Sequence, residues 1–258
     1  MAGQPLRLWR LRRLPVCAST ERELDRWLLQ LRHEPGLHVS GLAVVARRQR
    51  HGHGQWGRPW ASAPGGLWLS AAFDWPCAAT NGAPLTLATA VGMALQLEQL
   101  GLRPRIKWPN DLLIDGRKLG GILAGLRLAG GQVRWARVGL GLNGVNRVPD
   151  GAIAAGEAMR NRLNGPTGSI GRFHPRATAR ALLPRALAAL SWARAHSGEH
   201  DRVLALAEAR LERPVSGYRH GGRLWQIDGL AAGGGLRLQH QGDQLVLMRS
   251  GFSPEDPF

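Results

Sequence analysis

Between Ile106 and Leu142 the chain reads as four apolar runs separated by turn residues: Ile106–Trp108, Leu112–Asp115, Leu119–Leu128 and Val133–Leu142. Pro109-Asn110 joins the first two. Asp115-Gly116 follows the second, and an Asp-Gly pair suits a two-residue hairpin that needs positive φ at both central positions. Strands joined by so short a turn must run antiparallel, because a parallel pair needs a crossover of a dozen residues or more.

The flanking sequence adds helices. Leu6 to Leu14 alternates loosely, as a strand does. Ser19-Thr20-Glu21-Arg22-Glu23 then opens a helix, with a hydroxyl cap and acids in the first turn, and Pro35-Gly36 closes it. Leu42–Ala46 and Leu67–Phe73 read as strands on either side of a polar, glycine-punctuated stretch, Arg47 to Gly66. Pro84 starts an apolar helix that Gly101 terminates after Leu100. About forty residues beyond Leu142 carry no clear period. Helices follow at Ala177–Ala195, with Pro184 near an N-terminus or a kink, and at Val203–Leu211. After Arg213-Pro214 the texture changes to short strands with Gly-rich turns, at Val215–Tyr218, Leu224–Leu230, Leu236–Gln239 and Leu245–Met248, which is the pattern of a small β-barrel. The expected boundary lies near 212, giving units 1–212 and 213–258.

The net charge is +16, and 32 of the 34 basic residues are arginine. They are scattered without a block of five or six, so they read as general arginine enrichment rather than a nucleic-acid footprint. Two cysteines, Cys17 and Cys77, make no disulfide framework and suit a reducing cytosol. No apolar run reaches the ~18 residues of a spanning helix, and the N-terminus lacks the apolar core of a signal peptide.

The two lysines, Lys107 and Lys118, fall in one block, Lys107-Trp-Pro-Asn-Asp111-Leu-Leu-Ile-Asp-Gly-Arg-Lys118-Leu-Gly-Gly121. In a chain that has substituted arginine nearly everywhere, a surviving ammonium marks a position that rejects a planar fork, such as a tight phosphate or carboxylate site. Asn110 and Asp111 at a turn offer the carboxamide and carboxylate by which Mg²⁺ is recruited beside nucleotide phosphates. Gly120-Gly121 is read either as a bulge or packing position or as a place where a ligand approaches the backbone.

Gly52-His-Gly54-Gln-Trp-Gly57 and Gly139-Leu-Gly141-Leu-Asn-Gly144 both fit a dinucleotide fingerprint, but proline-rich sequence, not a helix, follows each. The first instead supplies a loop whose His53, Gln55 and Arg58 are donors and whose Trp56 and Trp60 are apolar cover, suited to closing over an anion. His51 and His53 lack the further ligands that zinc wants. Asn143 either caps the following segment or meets a ligand.

In this order, Ser19-Thr20, the Gln49–Trp60 loop, the Lys107–Leu123 block and Gly139-Leu-Gly-Leu-Asn143 resemble the biotin protein ligases, over nearly the whole chain. The resemblance implies a class II synthetase-like α+β domain, with a mixed, mainly antiparallel sheet flanked by helices and a small C-terminal SH3-like β-barrel. It implies formation of biotinyl-AMP from biotin and ATP with Mg²⁺, and transfer of biotin to a lysine of a biotin carboxyl carrier protein. Ser19, Thr20, Gln49, Gly52, Lys118 and Gly121 would then bind biotin, with His53-Gly54-Gln55 in the closing loop. Arg58, Lys107, Asn110, Lys118 and Asn143 would serve ATP, Asp111 the metal, and Lys118 catalysis. A lipoate or octanoate ligase or transferase is the neighbouring reading; a basic nucleic-acid-binding protein is the one from another class.

The chain departs from the family pattern in three places. Arginine is common where it has His53, and often present where it has Gln55, which predicts weaker retention of the adenylate unless Arg50 or Arg58 compensates. Glu21 stands where Asn is usual, and Ala18 where Asp is common. Only 18 residues precede Ser19, so a monofunctional ligase without an operator-binding domain is expected.

Overall fold

The computed structural model describes residues 9–31, 41–76, 85–129, 132–164 and 173–248. Its centre is a seven-stranded sheet of β1 (Arg10–Cys17), β2 (Leu42–Gln49), β3 (Leu67–Phe73), β4 (Arg105–Lys107), β5 (Asp111–Ile114), β6 (Arg117–Ala129) and β7 (Gln132–Leu142), in the order β1-β2-β3-β7-β6-β5-β4. Only the β1–β2 pair is parallel; the other neighbours are antiparallel, as the short turns require for β4–β5, β5–β6 and β6–β7. Asp115 and Gly116 both adopt positive φ, at 50° and 71°.

Helix α1 (Thr20–Leu31) lies on one face of the sheet. Ser19 caps it: its carbonyl accepts from the Glu23 amide at 3.2 Å and its Oγ from the Glu21 amide at 3.2 Å. Leu24, Trp27, Leu28 and Leu31 form the helix's apolar stripe and bury against Leu42, Val44 and Ala72. The opposite face carries the larger core, where α2 (Leu85–Glu98) packs with α4 (Ala179–Ala195) and α5 (His200–Glu208). Helices α2 and α4 meet at Gly92, where a Cβ would stand 2.6 Å from the Ala189 carbonyl oxygen, so only glycine permits that approach.

The C-terminal strands β8 (Tyr218–His220), β9 (Arg223–Leu230), β10 (Leu236–His240) and β11 (Asp243–Leu247) form a second, four-stranded antiparallel sheet. Trp225, Leu230, Leu236, Leu238 and Leu247 extend the main apolar core. Polar ties reinforce the contact. Trp108 Nε1 donates to the Gly234 carbonyl at 2.9 Å, and the Leu230 amide donates to Glu208 Oε2 at 2.7 Å.

Several elements differ from the sequence expectation. The stretch after Leu142 contains α3 (Ala155–Asn164); its buried residues are mostly alanine, which leaves a faint periodic signal. Helix α4 runs through Pro184 in its second turn, giving up one internal hydrogen bond. The first strand of the small sheet begins at Tyr218, because Gly217 takes φ 80° and turns the chain just before it. Pro35-Gly36, Cys77 and Pro84 lie outside the described residues, as does the expected strand start at Leu6.

Candidate active site

The site assembles on the α1 face of the sheet, around positions where side chains shrink to a hydrogen or a hydroxyl. Gly121 and Gly141 are register partners across β6 and β7, and Gly139 faces Ser70 of β3 in the same way. Trp60 lies over the first pair: a Cβ on Gly141 would stand 2.7 Å from its indole, and one on Gly121 would stand 3.2 Å away. Trp60 packs edge-on to Trp68. Its Nε1 is buried with no hydrogen-bond partner among the described residues, so it is a donor available to a ligand.

Lys118 reaches this floor through a bulge. Asp111 pairs with Gly121 and Leu112 with Gly120, but Leu113 pairs with Lys118, so Leu119 is the extra residue. In a regular ladder continued past Gly120, Leu119 would oppose Leu113, and Lys118 would oppose Ile114 and point to the other face of the sheet. With the bulge, Lys118 shares a face with Asp111 and its Nζ donates to Asp111 Oδ2 at 2.7 Å. The ammonium also sits 5.1 Å from the Trp60 ring centroid. At 38% side-chain exposure it is open to an incoming anion. Of the two readings of Gly120-Gly121, the first is present: the bulge lies immediately beside the pair, and a Cβ would stand 2.7 Å from the Gly141 carbonyl oxygen at Gly120 and 3.2 Å from Trp60 at Gly121.

A polar chain runs along the other side. Gln49 Oε1 accepts from the Thr20 amide at 2.7 Å and from Thr20 Oγ1 at 3.0 Å. Thr20 Oγ1 and Ser70 Oγ share a hydrogen bond of 2.8 Å. Gln49 Nε2 donates to Ser62 Oγ at 2.9 Å, and Ser62 Oγ donates to the Trp60 carbonyl at 3.2 Å. Ser19, Thr20, Ser62 and Ser70 are all buried. Gly52 lies against this chain, where a Cβ would come within 2.6 Å of Ser62 Oγ. Ser62 and Ser70 were not singled out from sequence. A lone hydroxyl inside the apolar Leu67–Phe73 run was the available signal for Ser70; Ser62 offered none.

From Gly52 to Trp60 the loop doubles back as a small hairpin. The Gly54 amide donates to the Arg58 carbonyl at 2.8 Å, and the Trp60 amide to the Gly52 carbonyl at 2.9 Å. Its tip is a 3₁₀ turn, Gln55–Gly57. His53 Nε2 stands 2.8 Å from Glu21 Oε2, so two of the family departures meet one another. Arg58 is exposed on the returning arm.

The remaining candidates are arranged around Lys118 and Asp111. Lys107, exposed at the end of β4, is the register partner of Asp111. Asn110 braces the turn: its Nδ2 donates to the Ile122 carbonyl at 3.1 Å, and its own carbonyl accepts from the Ile122 amide at 2.9 Å. Asn143 is buried and employed within the fold. Its Oδ1 accepts from Asn146 Nδ2 at 3.1 Å, and its carbonyl accepts from the Ala155 amide at 2.9 Å, at the start of α3. The first of the alternatives read from sequence, a cap on the next segment, thus describes its backbone. Arg117 turns away, to Glu157 at 2.7 Å and the Ala152 carbonyl at 2.7 Å, and anchors the hairpin to α3. Among the described residues no three His, Cys, Asp or Glu side chains gather around one point. Asp111 is the carboxylate at the site, and its Oδ1 faces Gly121.

One titration is displaced near the site. Burial, with the Glu23 carboxylate adding to it, pushes the Cys17 thiol up to about 11.

Residues 16–143 match the biotin/lipoate A/B protein ligase family. The chain is 39% identical over 113 residues to the bifunctional ligase/repressor BirA of Bacillus subtilis, covering 43% of this chain and 34% of that protein. It is 34% identical over 144 residues to the biotin–[acetyl-CoA-carboxylase] ligase of Paracoccus denitrificans, covering 54% and 58%. The aligned part thus spans between about a third and three-fifths of these two relatives. In fold, the chain resembles the biotin protein ligase of Aquifex aeolicus in complex with biotin and ATP, with TM-score 0.68, 22% identity and 95% and 97% coverage. It also resembles the Leishmania major biotin protein ligase in complex with biotinyl-5-AMP, with TM-score 0.61, 17% identity and 93% and 99% coverage.

Proposed function

We propose, from the premise that this chain belongs through residues 16–143 to the biotin/lipoate A/B protein ligase family, that it is a cytosolic ATP-dependent ligase that makes biotinyl-AMP and passes biotin to a lysine of a biotin carboxyl carrier protein. The observation that carries the reading is the ammonium of Lys118, held 2.7 Å from Asp111 and beside a glycine-floored surface covered by Trp60. An ammonium has three donors, and Asp111 occupies one. The others can meet the biotin carboxylate and the α-phosphate oxygens together, bringing two anions into contact that would otherwise repel.

In the first step a carboxylate oxygen of biotin attacks the α-phosphorus of ATP, the bond to the β-phosphate oxygen breaks, and pyrophosphate departs. Lys118 offsets the charge that builds on the phosphoryl oxygens. The Ser70–Thr20–Gln49–Ser62 chain supplies donors and acceptors for the polar ring of the vitamin, with Ser19 and Gly52 at its edge. Gly121 leaves room for the valeryl chain beside Trp60. His53, Gly54 and Gln55 belong to the hairpin that covers the product and excludes water from the mixed anhydride. Arg58, Lys107, Asn110 and Asn143 are assigned to the nucleotide, with the Asn143 carbonyl also tying the end of β7 to the start of α3. In the second step the carrier's lysine amine attacks the biotinyl carbonyl carbon, the bond to the AMP oxygen breaks, and the amine loses a proton.

A single carboxylate suits Mg²⁺, which keeps most of its waters and takes one or two carboxylates together with substrate phosphates. Asp111 would hold it, and the ion would neutralise phosphate charge. Residues 1–212 are assigned to the ligase unit and 213–258 to an auxiliary unit.

Incubating the full chain with biotin, ATP, Mg²⁺ and a carrier domain should give a biotinylated carrier, read by mass spectrometry. Preference for lipoate over biotin in ATP–pyrophosphate exchange would reassign the substrate, and absence of exchange with either acid would remove the enzyme assignment.

A further inference from the structure

Both carboxylate oxygens of Glu21 are engaged. Oε1 accepts from Arg137 and Oε2 faces His53 Nε2 at 2.8 Å. The other terminal nitrogen of Arg137 donates to Asp25 Oδ1 at 2.8 Å. The cluster therefore joins three elements: Glu21 and Asp25 lie one turn apart on α1, Arg137 projects from β7, and His53 comes from the hairpin. Arg137 is only 14% exposed, so a nearly buried guanidinium fixes Glu21 in place. Glu21 is thus a rigid acceptor on the body of the protein, presented to a histidine on a loop.

The hairpin needs such a hold. Its tip is poorly packed: Trp56 is 62% exposed and adopts φ 60°, and a Cβ on Gly57 would meet nothing within 4 Å. Trp60 seats the returning arm on Gly121 and Gly141, and His53 fastens the outgoing arm to α1. Both arms are tied by side chains to different elements of the sheet and helix layer.

We infer that Glu21 is a positioning residue. Backed by Arg137, it holds His53 and with it the outgoing arm of the hairpin, and so sets how long the hairpin stays closed over the activated acid. The inference rests on the ligase reading above. It assigns Glu21 and Arg137 a role in retaining an intermediate rather than in forming it.

The test uses the full chain and the variants Glu21→Ala, His53→Ala and the double. Hydrogen–deuterium exchange of the residue 52–60 amides is measured without ligand, and release of preformed biotinyl-AMP is measured by chase with excess unlabelled biotin and ATP. Each single variant should speed hairpin exchange and raise the release rate about threefold to fivefold, the size expected for losing one partly exposed ion-pair contact. The double variant should release no faster than either single one, since both remove the same contact. His53→Ala lies on an exposed loop and keeps the test valid if Glu21→Ala fails to fold. Unchanged hairpin exchange in His53→Ala, unchanged release, or additive release rates would each overturn the tether. If the wild-type chain forms no biotinyl-AMP, the ligase reading fails instead, and the exchange measurement alone decides the tether.

Discussion

Lys118 donates to Asp111 at 2.7 Å although the two are not register partners; Lys118 stands opposite Leu113, and Asp111 opposite Gly121. The extra residue Leu119 turns Lys118 onto the face that Asp111 occupies. The consequence for chemistry is that the ammonium already carries a partner before any substrate arrives, and that partner is the carboxylate assigned to Mg²⁺. If Mg²⁺ takes that carboxylate as proposed, it would compete with Lys118 for Asp111.

Lys118→Ala should lower adenylate formation by at least ~10²-fold, the order seen when a charge-stabilising donor is removed from a transition state. ATP–pyrophosphate exchange with biotin reads this directly. Lys118→Arg should also lose most activity, because a planar fork does not fit between Asp111 and Trp60 as a compact ammonium does. Full activity in the arginine variant would show that the geometry around the lysine is not restrictive.

Gly141→Ala places a methyl 2.7 Å from the Trp60 indole, whereas a methyl at Gly125, on the neighbouring strand, would meet nothing within 4 Å. The first substitution should displace Trp60, cost about 1–3 kcal/mol in stability by overpacking, and weaken biotin binding. Gly125→Ala should stay within about 0.5 kcal/mol of the parent. Urea titration and calorimetry with biotin distinguish the two.

Thr20→Val keeps the backbone donor to Gln49 but removes the hydroxyl shared with Gln49 and Ser70. Buried Ser70 and half-buried Gln49 then each lose a bond, for a cost of about 1–3 kcal/mol. The expected result is a lower urea midpoint with an unchanged slope, together with reduced biotin affinity.

Cys17 titrates at about 11, pushed up first by burial and then by the Glu23 carboxylate. The neutral thiol is favoured in the fold, so the reactive thiolate grows only as pH rises toward that value. At pH 8, iodoacetamide should label Cys17 on the order of 10²-fold more slowly than an unhindered thiol, and labelling should accelerate with pH. Quantifying the Cys17 peptide by mass spectrometry checks this.

Trp108→Phe retains the ring in the core and deletes the donor to the Gly234 carbonyl, which is buried. A loss of about 1–3 kcal/mol is expected from the unsatisfied acceptor. Because Trp108 immediately precedes the Pro109-Asn110-Asp111 turn, ATP affinity should fall as well, which calorimetry with a non-hydrolysable analogue measures.

The chain's local chemistry was legible without coordinates. Asp-Gly at 115–116 demanded a hairpin with positive φ, and Asp115 and Gly116 adopt it. Ser19 ahead of Glu21 and Glu23 demanded a helix start, and α1 begins there. The rarity of lysine pointed to Lys118. The hairpin and the helix start are both present, because turn dihedrals and caps depend on a few neighbouring positions. What only the tertiary structure decided is which residues face one another. Arg137 reaches Glu21 across 116 positions of sequence and Gln49 reaches Thr20 across 29, and both contacts follow from how α1 docks on the sheet and how the strands are ordered. The face that Lys118 takes depends on one bulged residue, and a one-residue shift in register inverts every side chain beyond it. Strand order and register are fixed by burial summed over the whole sheet, so no single stretch of sequence contains them.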